Sequence, residues 1–281
     1  MKKKIFFSKM QSLGNDFVIL ENLTQNFCYS SSLIKSLSNR KLGIGFDQLL
    51  IVESSKNKNA DFFYRIFNAD GTEVSQCGNG ARCFAKFLFI KGFSKNKKIS
   101  IQTKNRIMSV LIQSNKLVTL NIGKPIFNLN KIPFIGKKNK KYKKYFIKLE
   151  NKKYFFDVLS VGNPHCVLQV KNFKKLNIQK IGSFIESHKF FPNKTNVNFM
   201  KILNNKKIFL RIYERGVGET QSCGSGACAS VVSGILNKIL KRKKICVNLL
   251  GGNLEVEWKK KNDCIYVTGP VFHVYDGFFY I

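Results

Sequence analysis

Apolar and polar residues alternate with period two, or gather in short apolar runs, near 16–21, 49–53, 61–67, 107–112 and 117–122, the pattern of strands. The pattern returns near 145–149, 153–159, 165–170, 197–203, 207–214, 245–250, 253–258 and 264–268. Two longer stretches, 80–91 and 226–240, read as apolar helices, and each follows a cysteine in a glycine-rich turn. A final run, Gly269-Pro270-Val271-Phe272-His273-Val274-Tyr275, reads as one more strand. No Gly-x-Gly-x-x-Gly follows a first strand, which argues against a dinucleotide-binding fold. The fold class this implies is mixed α/β.

The pattern is also duplicated. Gln76-Cys77-Gly78-Asn79-Gly80-Ala81 reappears as Ser222-Cys223-Gly224-Ser225-Gly226-Ala227. At the same offset Phe67-Asn68 pairs with Tyr213-Glu214 and Glu73 with Glu219, and Gly14-Asn15 echoes in Gly162-Asn163. Copies of about 120 to 150 residues are too long for solenoid units, so they read as two homologous halves facing one another. The expected boundaries are 1–123, to which 270–281 returns, and 124–269. The Lys-rich segment 136–144 reads as an exposed loop early in the second half.

Composition changes this picture little. With 44% hydrophobic residues and 26 Phe the chain can bury a sizeable core, and no apolar run is long enough to span a membrane. Met1-Lys2-Lys3-Lys4-Ile5-Phe6-Phe7 is charged like a signal peptide, but polar residues follow at once, so a cytoplasmic protein is expected. The net charge of +33 invites a nucleic-acid reading. The excess is nearly all lysine, however, with arginine only at 40, 65, 82, 106, 211, 215 and 242. Lysine abounds beside Asn, Ile and Phe, the drift of an A- and T-rich genome, and it sits in loop-like runs. A solvated surface is favoured over a basic patch, and no specific nucleic-acid partner is expected.

Eight cysteines in a cytoplasmic chain suggest no disulfide framework. Cys77 and Cys83, or Cys223 and Cys228, are too loosely spaced for a structural zinc site, and only three His exist to help, so no metal is expected. Cys28, Cys166, Cys246 and Cys264 lie among apolar neighbours and read as small buried hydrophobes.

Cys77 and Cys223 are different. Glycines at the start of a helix let the backbone approach a ligand, and the N–H groups of the first turn form an anion site. The same partial positive charge lowers a thiol pKa from about 8.5 towards neutrality. Each motif thus supplies a carboxylate cradle and an acid–base thiol. Two on facing halves can invert an amino-acid α-carbon, one thiolate removing a proton and the opposite thiol delivering one, while oriented N–H dipoles stabilise the carbanion.

These residues resemble diaminopimelate epimerases nearly end to end. The segments are Gly14-Asn15-Asp16-Phe17, Gly45-Phe46-Asp47-Gln48, Phe67-Asn68-Ala69-Asp70-Gly71, Cys77-Gly78-Asn79-Gly80-Ala81-Arg82, Gly162-Asn163-Pro164-His165, Tyr213-Glu214-Arg215-Gly216 and Cys223-Gly224-Ser225-Gly226. The resemblance implies two pseudo-symmetric halves, each a curved sheet around a central helix, with the active site in the cleft between. It implies conversion of LL- to meso-2,6-diaminopimelate for lysine synthesis, without cofactor, by a homodimer. It makes Cys77 and Cys223 the acid–base pair, with Gly78, Asn79, Gly224 and Ser225 holding the reacting carboxylate and Glu214 the reacting ammonium. Asn15, Asn68, Asn163, Asn196 and Arg215 would grip the distal centre, with Gln48 lining the pocket, and His165 and Glu214 would tune the thiols. Asp16 and Asp70 read as turn or capping residues. Two other classes stay open: a pyridoxal-phosphate racemase, in which the cysteines would be idle, and a basic nucleic-acid-binding protein.

Overall fold

Strand β1 (Lys4–Ser12) alternates, with Ile5 and Phe7 turned to a core shared with Phe27, Ile34 and Phe46. It turns at Gly14, whose φ of +80° is left-handed, into β2 (Asn15–Glu21). Then follow α1 (Ser31–Ser38), β3 (Gln48–Ser54), β4 (Phe62–Asn68), α2 (Gly78–Ile90), β5 (Lys98–Gln102), β6 (Ile107–Ile112) and β7 (Val118–Gly123). β2 and β3 are buried on both faces, which is why their sequences run apolar rather than alternating. Valine, isoleucine and leucine at 18, 20, 49 and 51 join the core that includes α1's Ile34, and α2 packs on β1, β2, β3 and β6. Helix α2 is buried nearly all round, from Asn79 to Leu88, as befits a central helix.

The second set is β8 (Tyr145–Leu149), β9 (Lys152–Ser160), β10 (Pro164–Gln169), α3 (Ile178–Glu186), β11 (Asn196–Asn204), β12 (Lys207–Glu214), β13 (Gly218–Thr220), α4 (Gly224–Leu236), β14 (Ile245–Leu249), β15 (Gly252–Glu257) and β16 (Ile265–Gly269). β17 (Phe272–Tyr280) ends the chain, antiparallel to β1. The structure is a computed structural model describing residues 3–137 and 144–281. It divides into one unit of Met1–Asn121 with Thr268–Ile281 and a second of Ile122–Val267.

The pairing repeats between units. β1/β2 antiparallel, β2/β3 parallel, β3/β4 antiparallel, β4/β5 parallel and β5/β6 antiparallel recur as β9/β10, β10/β11, β11/β12, β12/β14 and β14/β15. A helix spans every parallel pair, as parallel crossovers require. Even an ion pair is duplicated: Arg65 Nε donates to Glu73 at 2.9 Å and Arg211 Nε to Glu219 at 2.6 Å.

Three expectations need correction. The second apolar helix ends at Leu236, capped by Asn237, because Lys238 takes a φ of +61°. Leu240 is buried although it lies outside the helix, and it would meet any side chain on Gly234, so the apolar run outlasts the helix. Of the four cysteines read as buried, only Cys166 is fully so; Cys28 is exposed, and Cys246 and Cys264 are half-buried. Asp16 is part of a charge cluster rather than a simple turn residue, as described below. The Lys-rich loop expected over 136–144 lies mostly outside the described residues. Among the described residues no helix is long and apolar enough to cross a membrane.

Candidate active site

Each cysteine motif folds into the same local form. Cys77 and Cys223 are extended N-cap residues, at φ −144°, ψ 117° and φ −138°, ψ 112°, from which α2 and α4 start. Their carbonyls accept the first helical bonds, from Ala81 at 2.9 Å and Ala227 at 3.0 Å. The second glycine of each motif is needed for close packing. A Cβ on Gly226 would stand 2.5 Å from Asn198 Oδ1 and 2.8 Å from Ile212 Cδ1, and one on Gly80 would strike the Tyr64 hydroxyl. Gly78, Gly224 and Ser225 lie in first turns, whose N–H groups have no intrahelical acceptor.

Around Cys77, the Gly80 N–H donates to Sγ at 3.3 Å, and the thiol faces Asn15 Oδ1 at 3.8 Å. Asn15 cannot present the other end of its amide, because Nδ2 donates to Asp47 at 2.8 Å. Asp47 sits in a charge cluster with Asp16, Lys9 and Arg40: Lys9 and Arg40 each reach Asp16 at 2.8 Å, and Arg40 also reaches Asp47 at 2.8 Å. Burial pushes Asp16 upward, but hydrogen bonds and charge from Arg40 and Lys9 outweigh it and hold its carboxyl at about 2. In the same unit, Gln48 Nε2 donates to Asn68 Oδ1 at 2.9 Å. Asn79 is buried, and its Oδ1 accepts from Arg82 at 2.9 Å.

Around Cys223 the surroundings are more polar and more enclosed. Burial pushes the thiol well above its ordinary value, and the Glu214 charge adds to this, against a pull from Ser225 and the Gly226 N–H. Ser225 Oγ lies 3.3 Å from Sγ. Burial likewise raises Glu214, whose carboxylate accepts from Thr220 Oγ1 at 2.6 Å. Asn163 Nδ2 approaches Ser225 Oγ at 3.5 Å, and its Oδ1 lies 3.0 Å from His165 Nε2. Asn196 Oδ1 accepts the Arg215 N–H at 3.1 Å, while the exposed Arg215 guanidinium touches only the Asn193 carbonyl, at 3.1 Å, among the described residues.

The residues expected at the site divide between the two units. Cys77, Asn15, Gln48, Asn68, Gly78 and Asn79 belong to the first unit; Cys223, Asn163, His165, Asn196, Glu214, Arg215, Gly224 and Ser225 belong to the second. His165, expected to tune a thiol, is fully buried, and burial drives its pKa down to about 3. It is a neutral ring, so it acts through hydrogen bonds rather than charge. The sequence reading gave no role to Asp47, which aims Asn15, or Arg82, which holds Asn79, although both stand in matched segments, and it missed Thr220, on Glu214, and Asn198, 3.2 Å from His165. The alternation could have exposed Asn198, since Asn196 and Asn198 are polar on the same face of an otherwise apolar strand start. No group of three or more His, Cys, Asp or Glu able to hold a metal occurs among the described residues.

Comparison with known proteins agrees with the motifs. The family model described as diaminopimelate epimerase matches residues 7–128 and 158–274. A curated diaminopimelate epimerase from Buchnera aphidicola subsp. Baizongia pistaciae (strain Bp) is 50% identical over 279 residues, 99% of this chain and 96% of that one. Among solved structures, a hydroxyproline epimerase from Agrobacterium vitis with bound trans-4-hydroxy-L-proline superposes with TM-score 0.71 at 11% identity, over 100% of this chain and 94% of that one. A phenazine biosynthesis protein of the PhzF family from Bacillus anthracis gives 0.69 at 19% identity, over 99% and 100%. These structures share the fold.

Proposed function

The chain belongs to the diaminopimelate epimerase family, and on that premise we propose that it interconverts LL- and meso-2,6-diaminopimelate in lysine biosynthesis, with Cys77 and Cys223 as a cofactor-independent acid–base pair. The observation that carries this reading is the duplicated cap: a thiol at the N-terminus of each central helix, inside matched family segments. In the LL-to-meso direction the thiolate of one cysteine takes the α-proton and the other thiol donates its own to the opposite face. The carbanion's charge spreads into the carboxylate, where first-turn N–H groups of Gly78, Asn79, Gly224 and Ser225 stabilise it. Glu214 holds the reacting ammonium, and Asn15, Asn68, Asn163, Asn196 and Arg215, with Gln48, hold the distal centre. Burial of Cys223 beside Glu214 supports its resting as the thiol.

The same reading places the enzyme in the cytoplasm as a homodimer. Strand β17 supports a contact between two copies. It pairs with β1, and Phe272, Val274, Tyr275, Phe278 and Tyr280 are exposed on it. Residues 262–281 contain no Lys or Arg in a chain that has 49, so the strand itself adds no positive charge to a contact between copies of +33 each.

The reading is tested by incubating the purified chain with LL-diaminopimelate after dialysis against chelator, with no pyridoxal phosphate added, and resolving the stereoisomers. Formation of the meso isomer is expected. A strict requirement for metal or pyridoxal phosphate would overturn the cofactor-free mechanism.

A further inference from the structure

The two constellations solve one problem by different means. In both units an Asn amide at a hairpin turn, Asn15 or Asn163, is aimed at the helix-cap cysteine or its neighbour. In the first unit a carboxylate, Asp47, does the aiming. The matching ladders pair Phe17 with Gln48 and His165 with Asn196, so His165 stands where the first unit has Phe17. Two residues further along, Asn198 stands where the first unit has Leu50. An apolar pair beneath α2 has become a polar pair beneath α4.

Asn198 is fully buried, and the orientation of its amide is fixed by its surroundings. Nδ2 lies 3.0 Å from the Cys166 carbonyl and 3.5 Å from that of Asn196. A flipped amide would set an oxygen against two carbonyl oxygens, so the nitrogen must face them. That nitrogen also faces His165 Nδ1 at 3.2 Å. Nδ1 must therefore accept, which leaves the ring's one proton on Nε2, where it is donated to Asn163 Oδ1 at 3.0 Å. The amide of Asn163 is thereby turned so that Nδ2 points to Ser225 Oγ. Once Cys223 is ionised its sulfur can only accept, and Asn163 Nδ2 can only donate, so the Ser225 hydroxyl gives its single hydrogen to the sulfur, 3.3 Å away.

We propose that Asn198 is a positioning residue that locks His165 in its neutral Nε2–H tautomer, and through Asn163 reserves the Ser225 hydroxyl proton for the Cys223 thiolate. With the opposite tautomer, Asn163 would turn its amide, Ser225 would donate to Asn163 Oδ1, and the thiolate would lose a donor. The relay also explains Gly226: Asn198 Oδ1 lies against it, and any side chain there would push the relay apart. The lock itself is independent of the epimerase assignment; its consequence for catalysis rests on Cys223 being an acid–base thiol.

The test uses the full chain with ¹⁵N-labelled histidine, whose three His give few signals. Ring nitrogen shifts are expected to show His165 as the Nε2–H tautomer in the wild type. An Nδ1–H tautomer or an imidazolium near neutral pH overturns the proposal before any variant is made. Asn198→Leu, the residue of the matching position, should release the tautomer and slow iodoacetamide alkylation of Cys223 on the order of tenfold, the scale of one hydrogen bond to a charged group. Alkylation of Cys77 serves as the internal control. Ser225→Ala should slow Cys223 alkylation similarly while His165 stays Nε2–H, which separates the relay from general disorder. An unchanged tautomer and an unchanged Cys223 rate in folded Asn198→Leu would sink the idea. None of these readouts requires epimerase activity, so failure of the assignment would be seen separately.

Discussion

Asn15 donates its amide nitrogen to the Asp47 carboxylate at 2.8 Å, which obliges its carbonyl oxygen to face the other way, towards the Cys77 thiol. A side chain proposed to touch substrate is thus aimed by a residue that need not. Asp47→Ala should leave Asn15 free to turn, lowering kcat/KM on the order of tenfold, as loss of a charge-assisted hydrogen bond to a binding group would. Asp47→Asn should recover part of this, because its Oδ1 can still accept. If Asp47→Ala had wild-type kinetics, the contact would be structural only.

Glu214 gives a signed expectation for pH. Burial raises its carboxyl, against the lowering bonds from Thr220 and Cys223. A folded value above the unfolded one means that its contribution favours the folded state below the unfolded value and is lost as pH rises through the folded one. Glu214→Gln should therefore be more stable than the wild type at neutral pH, with the difference fading below the ordinary glutamate range. Urea unfolding at both pH values measures this. Activity should move oppositely: if the ionised carboxylate binds ammonium, Glu214→Gln loses activity at neutral pH despite its stability. A variant less stable than the wild type at neutral pH would contradict the sign.

Most strands, though not β5 or β13, and both central helices were legible because their signals are local. β6, β8 and β12 fall on the expected residues, and α2 and α4 begin at the cysteine motifs. The short outer helices were not. α1 is eight residues, four of them serine, and holds its place through the Ser30 cap and the buried Ile34. α3 carries Ile178, Ile181 and Ile185 at helical spacing, but β-branched residues speak weakly for helix. β1 was hidden by its three neighbouring lysines, which resemble a charged leader more than a strand. The site residues that carry motifs could be read from them, but not what aims them. Asp47 stands in a matched segment and Asn198 is a polar position on an apolar strand face, yet their partners lie 32 and 33 residues away, and no local pattern encodes which side chain each one aims.

The proposed contact at β17 can be broken without touching the cysteines. Tyr275→Lys with Phe278→Lys adds two positive charges to a strand that has no Lys or Arg of its own and should shift the chain to monomer in sedimentation velocity. If the wild type is already monomeric at micromolar concentration, or the double variant associates as before, β17 is not the contact.

Arg215 separates recognition from folding. Its guanidinium is exposed and meets one carbonyl among the described residues, whereas its backbone N–H is bound to Asn196. Arg215→Ala keeps that backbone bond, so thermal stability should change little. Activity should fall on the order of 100-fold or more if the fork grips a distal carboxylate, and Arg215→Lys should rescue little, because an ammonium cannot reproduce a planar pair of donors. Near-normal kinetics in the Lys variant would remove Arg215 from the substrate-binding set.

The two-thiol mechanism makes an isotopic commitment. If one cysteine removes the α-proton and the other supplies a solvent-derived one, turnover of LL substrate in deuterated water should put deuterium into the meso product from the first turnovers. The remaining LL substrate should stay largely unlabelled, because the abstracting thiol holds the original proton on the original face. A single base working both faces would carry some of that proton across and leave early product partly unlabelled. Cys77→Ala and Cys223→Ala should each abolish inversion, while a lone thiol can still exchange the α-proton on its own side. The exchanging side should differ between the two variants, one washing label into LL substrate and the other into meso substrate. Substantial inversion by both alanine variants would end the two-thiol reading, and label washing into the same stereoisomer in both would place the two thiols on one face.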